Sequence, residues 1–119
     1  MAGAAGALSR YGVGRWAKAY ASTGFPLGTF AVNVVGCLLL GFIVGAGLQG
    51  ALSERARLAW GTGFCGALTT FSTFSVETIQ LLEKGRWVRG LGYVGLSLLL
   101  GFAAAATGLW LAQRLIAQA

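Results

Sequence analysis

The feature that most constrains this chain is a mostly apolar run without a single charged residue, Leu27–Leu48. A helix of that length crosses the hydrocarbon core of a bilayer. A second uncharged run covers about residues 90–111, and two further apolar stretches, about 2–21 and 58–82, carry polar side chains. The sequence therefore predicts an all-α membrane protein. Its four transmembrane helices would form a single domain over residues 1–119, with no internal repeat.

Composition excludes several other classes of protein. With 56% hydrophobic and 10% charged residues, a chain of 119 residues is too apolar for a soluble domain of this size. The net charge of +6 could indicate nucleic acid, but the basic residues lie between apolar runs, so lipid headgroups are the expected partners. The chain has no histidine, and Cys37 and Cys65 are far apart, so we expect no His/Cys metal cluster and interpret both thiols as small hydrophobes.

The third apolar stretch is unusual because hydroxyl groups crowd its middle. From Gly61 to Ser75 it reads GTGFCGALTTFSTFS. Polar groups at membrane depth cost free energy unless protein, water or a passing solute satisfies them. Small residues and hydroxyls also disfavour a continuous helix, and broken helices are tolerated in membranes where the freed backbone lines a cavity. We therefore expect the third helix to be broken near its middle and to hold the functional site.

The glycines of this stretch match a nucleotide-binding pattern by spacing only. Gly61, Gly63 and Gly66 fit GxGxxG. That motif requires a preceding strand, a soluble helix and a later acidic residue. Because both flanks here are apolar, we interpret the glycines as packing or backbone-break residues.

Aromatic rings and hydrogen-bond donors together suggest an anion as the solute. Phe71 and Phe74 are three residues apart, and ring edges turned into a polar cavity favour an anion because they carry partial positive charge. Asn33 alone is better explained as a hydrogen-bonding contact between packed helices. With Arg10 and Ser97 it joins a set of donors that has very few carboxylates. Such a set suits a small, strongly hydrated anion.

Glu77 is the one carboxylate inside the predicted spans. An ionised group at that depth needs a partner or water. Two interpretations are open: a proton relay, or a carboxylate that pairs with a basic residue or reaches the membrane interface. We favour the second.

Basic residues are almost equally divided between the two sides of the predicted bundle. One side has three, and the other has four, or five with Arg15. They are Arg55, Arg57 and Arg114 on one side, and Lys18, Lys84, Arg86 and Arg89 on the other. Because basic loop residues set orientation, a near tie specifies it weakly. Two alternatives remain open: insertion both ways round, which gives an antiparallel homodimer, or one orientation fixed by one or two charges.

Four segments resemble a family of small bacterial fluoride channels, the Fluc or CrcB proteins. The segments are GAAGALSRY at Gly3–Tyr11, NVVG from Asn33, GTGFCGALTTFSTFS, and the late YVGLSLLLG. The likeness covers nearly the whole chain in matching order, and the TTFSTF run is highly specific. It implies an antiparallel, dual-topology homodimer with two fluoride pores, multi-pass in the bacterial inner membrane. The near tie in basic charge agrees with this.

The resemblance also implies roles for individual residues. Asn33 would be a hydrogen-bond donor in the pore, and the edges of the Phe71 and Phe74 rings would line the fluoride path. Hydroxyl groups would extend that path, and an arginine would attract anions near the entrance. The residues implied are Thr70, Thr73, Ser97, Tyr93 and Arg10.

Members of this family also hold a sodium ion at the dimer centre, bound by backbone carbonyls where the third helix breaks. The matching positions are Gly66 and Thr69. The chain departs from the family at two positions. Ala67 stands where many relatives have a second glycine, and Gly101 leaves a gap in the hydroxyl stripe of the fourth span.

The sequence thus predicts a passive channel that exports fluoride, with no enzymatic activity because no nucleophile–base pair is evident. The alternative is a small multidrug-resistance transporter, also a four-span antiparallel dimer. That mechanism needs a carboxylate in the first span, where this chain has Arg10 and no acid. A third hypothesis is a membrane assembly subunit that transports nothing.

Overall fold

The computed structural model describes residues 1–20 and 25–117. Every regular element in that part of the chain is helical, as predicted. Residues 22–24 of the turn expected at Ser22–Pro26 lie outside it. The elements are α1 (Ala2–Tyr20), α2 (Leu27–Leu48), α3 (Glu54–Arg57), a π-helical segment (Leu58–Cys65), α4 (Gly66–Leu68), α5 (Phe71–Glu83) and α6 (Trp87–Ala117).

Two of these helices are long and apolar enough to cross a membrane. They are α2, with 22 residues, and the Trp87–Ile116 part of α6, with 30. At about 1.5 Å per residue, both exceed the roughly 30 Å of a hydrocarbon core. The second and fourth predicted spans are therefore single uninterrupted helices.

α2 and α6 form the most extensive packing interface of the fold. Gly41 of α2 lies directly against the backbone of Ala105, and a Cβ added to Gly45 would be 2.7 Å from the Ala112 Cβ. Gly108 of α6 approaches the α2 backbone in the same way. Small residues permit this close approach, which favours helix association in lipid. Because the contact positions advance together along both helices, α2 and α6 run parallel.

Since α2 and α6 run in the same direction, the chain between them returns along the length of the bundle. The return consists of α3, the π-helical segment, α4 and α5. α1 packs against its first half: a Cβ on Gly63 would be 3.2 Å from the Ala2 Cβ, and one on Gly6 would be 3.1 Å from the Ala67 Cβ. The chain thus makes four passes along the bundle. We refer to residues 54–83 as the third pass.

A glycine cap ends the third pass. Gly85 has a φ of +74°, in the left-handed region that glycine adopts at little cost. Its N–H donates to the Leu82 carbonyl at 3.0 Å, and the Arg86 N–H donates to the Leu81 carbonyl at 2.9 Å. This pair of bonds is the Schellman motif, which satisfies the last helical carbonyls.

Efficient capping makes both charged loops shorter than the sequence suggests. α6 begins directly after the glycine cap, so Arg89 lies in a helix rather than in the expected loop at 83–89. The expected loop at 49–57 ends at Ser53, whose hydroxyl accepts the Ala56 N–H at 3.1 Å and starts α3. A serine in this position is a preferred N-cap.

Candidate functional site: an interrupted helix beside a groove

The third pass is interrupted at two threonines. α4 ends at Leu68 and α5 begins at Phe71. Between them, Thr69 (φ −84°, ψ 156°) and Thr70 (φ −152°, ψ 122°) are extended. We call these two residues the interruption. Extended residues break the helical hydrogen-bond ladder, so the backbone groups around them need other partners.

Asn33 of α2 supplies two of those partners. Its Nδ2 donates to the Thr70 carbonyl at 3.1 Å, and its Oδ1 accepts the Thr70 N–H at 2.8 Å. One side-chain amide therefore satisfies both backbone groups of one extended residue, as a neighbouring β-strand would. A primary amide has two N–H groups, and this contact uses one of them.

The contact with Asn33 changes the bonding of the α4 end. In a continuous helix the Thr70 N–H would donate to the Gly66 carbonyl, but here it donates to Asn33. Likewise the Thr73 N–H, the helical donor for the Thr69 carbonyl, donates to the Thr70 hydroxyl at 3.3 Å. The carbonyls of Gly66 and Thr69 therefore lack their helical donors. They belong to the two residues for which the resemblance implies sodium binding.

The hydroxyl groups of the interrupted region divide into two kinds. Those of Thr69 and Ser75 donate to backbone carbonyls one turn earlier, both at 2.9 Å. The Thr70 hydroxyl caps α5, donates to Thr73 Oγ1 at 3.1 Å and lies 3.3 Å from Ser72 Oγ. The first two hydroxyls therefore use their donor groups within the third pass. The second kind form an exposed cluster at the start of α5.

A groove of about 280 Å³ lies beside the interruption, against α2, α5 and α6. Its polar lining comes from Asn33, Thr69, Thr70 and Ser97, and none of its described lining residues carries a charge. The Ser97 Oγ is buried and has no hydrogen-bond partner among the described residues. A buried donor without a partner is unfavourable, and such groups are rare in native proteins. The groove is therefore an uncharged site with hydrogen-bonding capacity left over.

Both predicted phenylalanines line this groove, but they are covered to different degrees. Their ring centroids are 5.9 Å apart with the planes at 45°. Phe74 is half-buried and meets Tyr93 edge to face, with centroids 4.9 Å apart. Phe25 makes a second edge-to-face contact with Tyr93 at 5.3 Å. Phe71, by contrast, is 79% exposed in the single chain.

Tyr93 is fully buried, and its hydroxyl donates to Glu77 Oε1 at 3.1 Å. The Glu77 carboxylate thus accepts a hydrogen bond from a tyrosine, a partner that neither interpretation of Glu77 named. Glu77 lines a second cavity, of about 340 Å³, together with Lys84 and Arg86. Three charged side chains therefore line this cavity, near the end of the third pass, whereas none lines the groove among the described residues.

The predicted pore residues do not all lie together. Thr73 is adjacent to the groove through the hydroxyl cluster, Tyr93 lies behind Phe74, and Arg10 is half-buried on α1 and does not line the groove. The groove brings together Asn33, Thr70, Phe71, Phe74 and Ser97.

Sequence reasoning missed two features of the site. Gly36 lines the groove next to Thr69, although its position three residues after Asn33 would have placed it on the same helix face. The Tyr93–Glu77 bond joins residues on different helices, and no local pattern in the sequence indicates it.

Comparison with known proteins identifies the family. The family described as "CrcB-like protein, Camphor Resistance (CrcB)" matches residues 1–109. A fluoride-specific ion channel FluC 2 from Symbiobacterium thermophilum is 48% identical over 114 residues, which are 95% of this chain and 89% of the relative. The FluC 2 channel of Rhodococcus jostii is 48% identical over 115 residues, 97% and 92% of the two chains. The FluC channel of Acidobacterium capsulatum is 44% identical over 120 residues, 98% and 94% of the two chains.

These matches extend over nearly all of the chain and nearly all of each relative. They confirm the resemblance indicated by the TTFSTF run and the other three segments. The chain belongs to the CrcB family.

Proposed function

We propose that this protein is a fluoride-selective ion channel through which fluoride leaves the cytoplasm down its electrochemical gradient. The observation that carries the proposal is the groove, where Asn33, Ser97, Phe71 and Phe74 meet and no charged residue is present among the described lining. Relatives named fluoride-specific ion channels support the identity of the ion. The protein conducts an ion and catalyses no reaction.

The chemistry of the groove suits an anion that has lost its water. Fluoride is small and strongly hydrated, so donors must replace its hydration shell. The buried Ser97 hydroxyl lacks a partner, and the Asn33 amide has a second N–H group. An anion that accepts from both, with the buried Ser97 hydroxyl rotated into the groove, would remove the cost of the unpaired hydroxyl. Glu77, the one carboxylate of the predicted spans, lines the other cavity and is not among the described residues that line the groove.

The remaining predicted residues extend this path. The ring edges of Phe71 and Phe74 face the ion, and the hydroxyls of Thr70 and Thr73 continue the path along α5. Tyr93 lies behind Phe74 and supports the far end of the path. Its hydroxyl is the donor nearest to Glu77. At the entrance Arg10 attracts anions from solution.

The working unit is an antiparallel homodimer with two pores. In the single chain Phe71 is 79% exposed, and Ser72 and Thr73 are exposed beside it. Polar groups cannot face the hydrocarbon region without large cost. A second copy packed over the interruption covers them and closes the groove into a passage. The near tie of basic residues permits the two orientations that this arrangement needs.

The interruption is the mid-membrane break of the third transmembrane helix, and a sodium ion fits there at the dimer centre. The carbonyls of Gly66 and Thr69 lack helical donors, because Asn33 and the Thr70 hydroxyl have taken those N–H groups. Two such carbonyls from each subunit give four oxygen ligands, which is the donor type that hard cations prefer. When bound, the ion supplies charge that stabilises the freed carbonyls. Its role is structural.

All four passes cross the inner membrane of a bacterial cell. α2 and α6 are each long enough to do so, and their parallel orientation requires the third pass to cross between them. The multidrug-transporter alternative gains no support, because α1 contains Arg10 and no acidic residue. The assembly-subunit alternative leaves the unpaired Ser97 hydroxyl without a function.

Anion efflux from liposomes tests the proposal. Vesicles with the purified protein are loaded with potassium fluoride or potassium chloride, and valinomycin balances the charge. We expect rapid fluoride efflux at a fluoride electrode and chloride efflux no faster than from protein-free vesicles. Absence of fluoride efflux, or equal movement of chloride, contradicts the proposal. Proton-driven uptake of a lipophilic cation would instead support the transporter alternative.

A further inference from the structure

Gly36 lies on the same face of α2 as Asn33, three residues further along the chain. It is buried and lies against the interruption. A Cβ added at Gly36 would overlap the Thr69 methyl group (Cγ2) and would be 3.6 Å from the Thr69 Cβ and 3.9 Å from Leu68 Cδ2. α2 thus contacts both residues of the interruption, Thr70 through the Asn33 amide and Thr69 through the space at Gly36.

The contact at Gly36 differs from the contacts at Gly6, Gly41 and Gly108. At those three glycines the nearest atom belongs to the backbone of another helix, so they serve close helix approach. At Gly36 the nearest atoms are side-chain atoms, and the closest is one methyl group of the interruption. Gly36 therefore receives a particular side chain rather than a whole helix.

The Thr69 methyl is not free to rotate away from α2. The Thr69 hydroxyl donates to the Cys65 carbonyl at 2.9 Å, and this bond fixes the rotation about the Cα–Cβ bond. The methyl is consequently directed at Gly36 while the hydroxyl is used by the third pass. Any group larger than hydrogen at residue 36 must displace Thr69.

We propose that Gly36 is a positioning residue of the channel: it accepts the Thr69 methyl and thereby sets the distance between α2 and the interruption. At that distance the Asn33 amide reaches both backbone groups of Thr70. If Thr69 moves away from α2, the two Asn33 bonds lengthen and the Thr70 N–H can return to the Gly66 carbonyl. The interruption then closes towards a continuous helix, and the groove residues lose their arrangement.

A reciprocal pair of substitutions tests this role. Gly36→Ala introduces the overlapping methyl, and Thr69→Ser removes the methyl that it overlaps while keeping the hydroxyl bond to Cys65. The variants needed are Gly36→Ala, Thr69→Ser and the double variant. Gly12→Ala is the matched control, because an added Cβ at Gly12 meets nothing within 4 Å. Each is purified and measured for its thermal unfolding midpoint in detergent and for fluoride efflux from liposomes.

We expect Gly36→Ala to lower fluoride efflux by about tenfold or more, as displacements near 1 Å do in other functional sites. It should also lower the unfolding midpoint. The double variant should recover the efflux of Thr69→Ser and at least its midpoint. Gly12→Ala should conduct like the unaltered protein and unfold at the same or a slightly higher midpoint, because alanine favours a helix more than glycine does. If Gly36→Ala gives no folded protein, the yield of folded protein becomes the readout, and Thr69→Ser should restore it.

Two outcomes overturn the inference: an unaltered efflux and midpoint in Gly36→Ala, or a double variant as impaired as Gly36→Ala. The efflux arm depends on the proposed channel function, but the unfolding arm does not. If the unaltered protein conducts fluoride while Thr69→Ser rescues nothing, this inference fails and the proposed function stands. If the unaltered protein conducts no fluoride, the proposed function fails, and the unfolding midpoints alone decide the role of Gly36.

Discussion

The α2–α6 pair and the third pass differ in how their backbone polar groups are satisfied. α2 and α6 are regular helices that satisfy their own backbone, and they associate through Gly41, Gly45 and Gly108. The third pass is interrupted at Thr69–Thr70, where side chains, chiefly Asn33, bond to its backbone. A regular pair needs only small residues at its contact, whereas a broken pass needs a partner for each freed group.

The comparison also indicates where function can reside. The glycine contacts of α2 and α6 bring the two helices close together. Beside the interruption, the carbonyls of Gly66 and Thr69 lose their helical donors, and the hydroxyl of Ser97, which α6 presents there, has no partner among the described residues. Unpaired polar groups in lipid raise the free energy of the protein, and an ion that bonds to them lowers it. The interrupted region is therefore where an ion can bind. The rigid pair holds the irregular segment in place.

The largest expected effect comes from breaking the rigid pair. Gly108→Val puts a branched side chain against the α2 backbone, where an added Cβ would lie 2.6 Å from the Phe42 nitrogen. Because backbone atoms cannot move aside, we expect a loss of at least about 3 kcal/mol and little folded protein. Yield and size-exclusion profile in detergent check this. Gly95→Val on the same helix is the control, since an added Cβ there meets nothing within 4 Å. A well-folded Gly108→Val protein would show that the close contact is not needed.

The next effect is on conduction alone. Phe71→Ile and Phe74→Ile remove two aromatic rings from the groove lining while keeping apolar side chains. We expect each variant to reduce fluoride efflux to the level of protein-free vesicles and to keep the size-exclusion profile of the unaltered protein. Phe102→Ile changes a third ring of the groove lining, to which no role in the path is assigned, and this variant should conduct. Normal efflux in both Phe71→Ile and Phe74→Ile would remove the rings from the path.

A moderate effect on stability is expected at the start of α5. Thr70→Val keeps the shape of the side chain but removes the hydroxyl that accepts the Thr73 N–H. Loss of an N-cap costs about 1 kcal/mol, which an unfolding titration in detergent can resolve. Thr107→Val is the matched control, because the Thr107 hydroxyl donates to the Ala103 carbonyl of its own helix, at 2.7 Å, and caps no helix. Equal losses in the two variants would show that the Thr70 cap is no stronger than an ordinary helix-surface bond.

The smallest effect is expected at the hydrogen bond between Tyr93 of α6 and Glu77 of the third pass. Tyr93→Phe removes the hydroxyl that donates to Glu77 but keeps the edge-to-face contacts with Phe74 and Phe25. Hydrogen bonds between membrane helices average about 0.6 kcal/mol, so the unfolding free energy should fall by about that amount. Tyr11→Phe, on an exposed part of α1, should change nothing. A stability unchanged in Tyr93→Phe would mean that Glu77 is satisfied without this bond.

The sequence predicts the regular helices α2 and α6 well. For the interruption, it predicts the position in the chain but not the contacts. The absence of charge from Leu27–Leu48 fixes a helix there because nothing else suits lipid. The Gly41–Gly45 spacing indicates close packing, which the structure places against α6. The TTFSTF run indicates where the polar site lies. The sequence could not reveal that Asn33 bonds to the Thr70 backbone or that Tyr93 bonds to Glu77, because those contacts depend on helix positions that no local pattern sets.

The most direct test of the central claim concerns Ser97, whose buried hydroxyl has no partner among the described residues. If that hydroxyl serves the passing anion, Ser97→Ala should lower fluoride efflux while leaving the unfolding midpoint unchanged or higher, because the substitution removes an unsatisfied polar group. Few substitutions lower activity while leaving stability unchanged or higher. Undiminished fluoride efflux in Ser97→Ala would contradict the claim that the groove beside the interruption is the path of the ion.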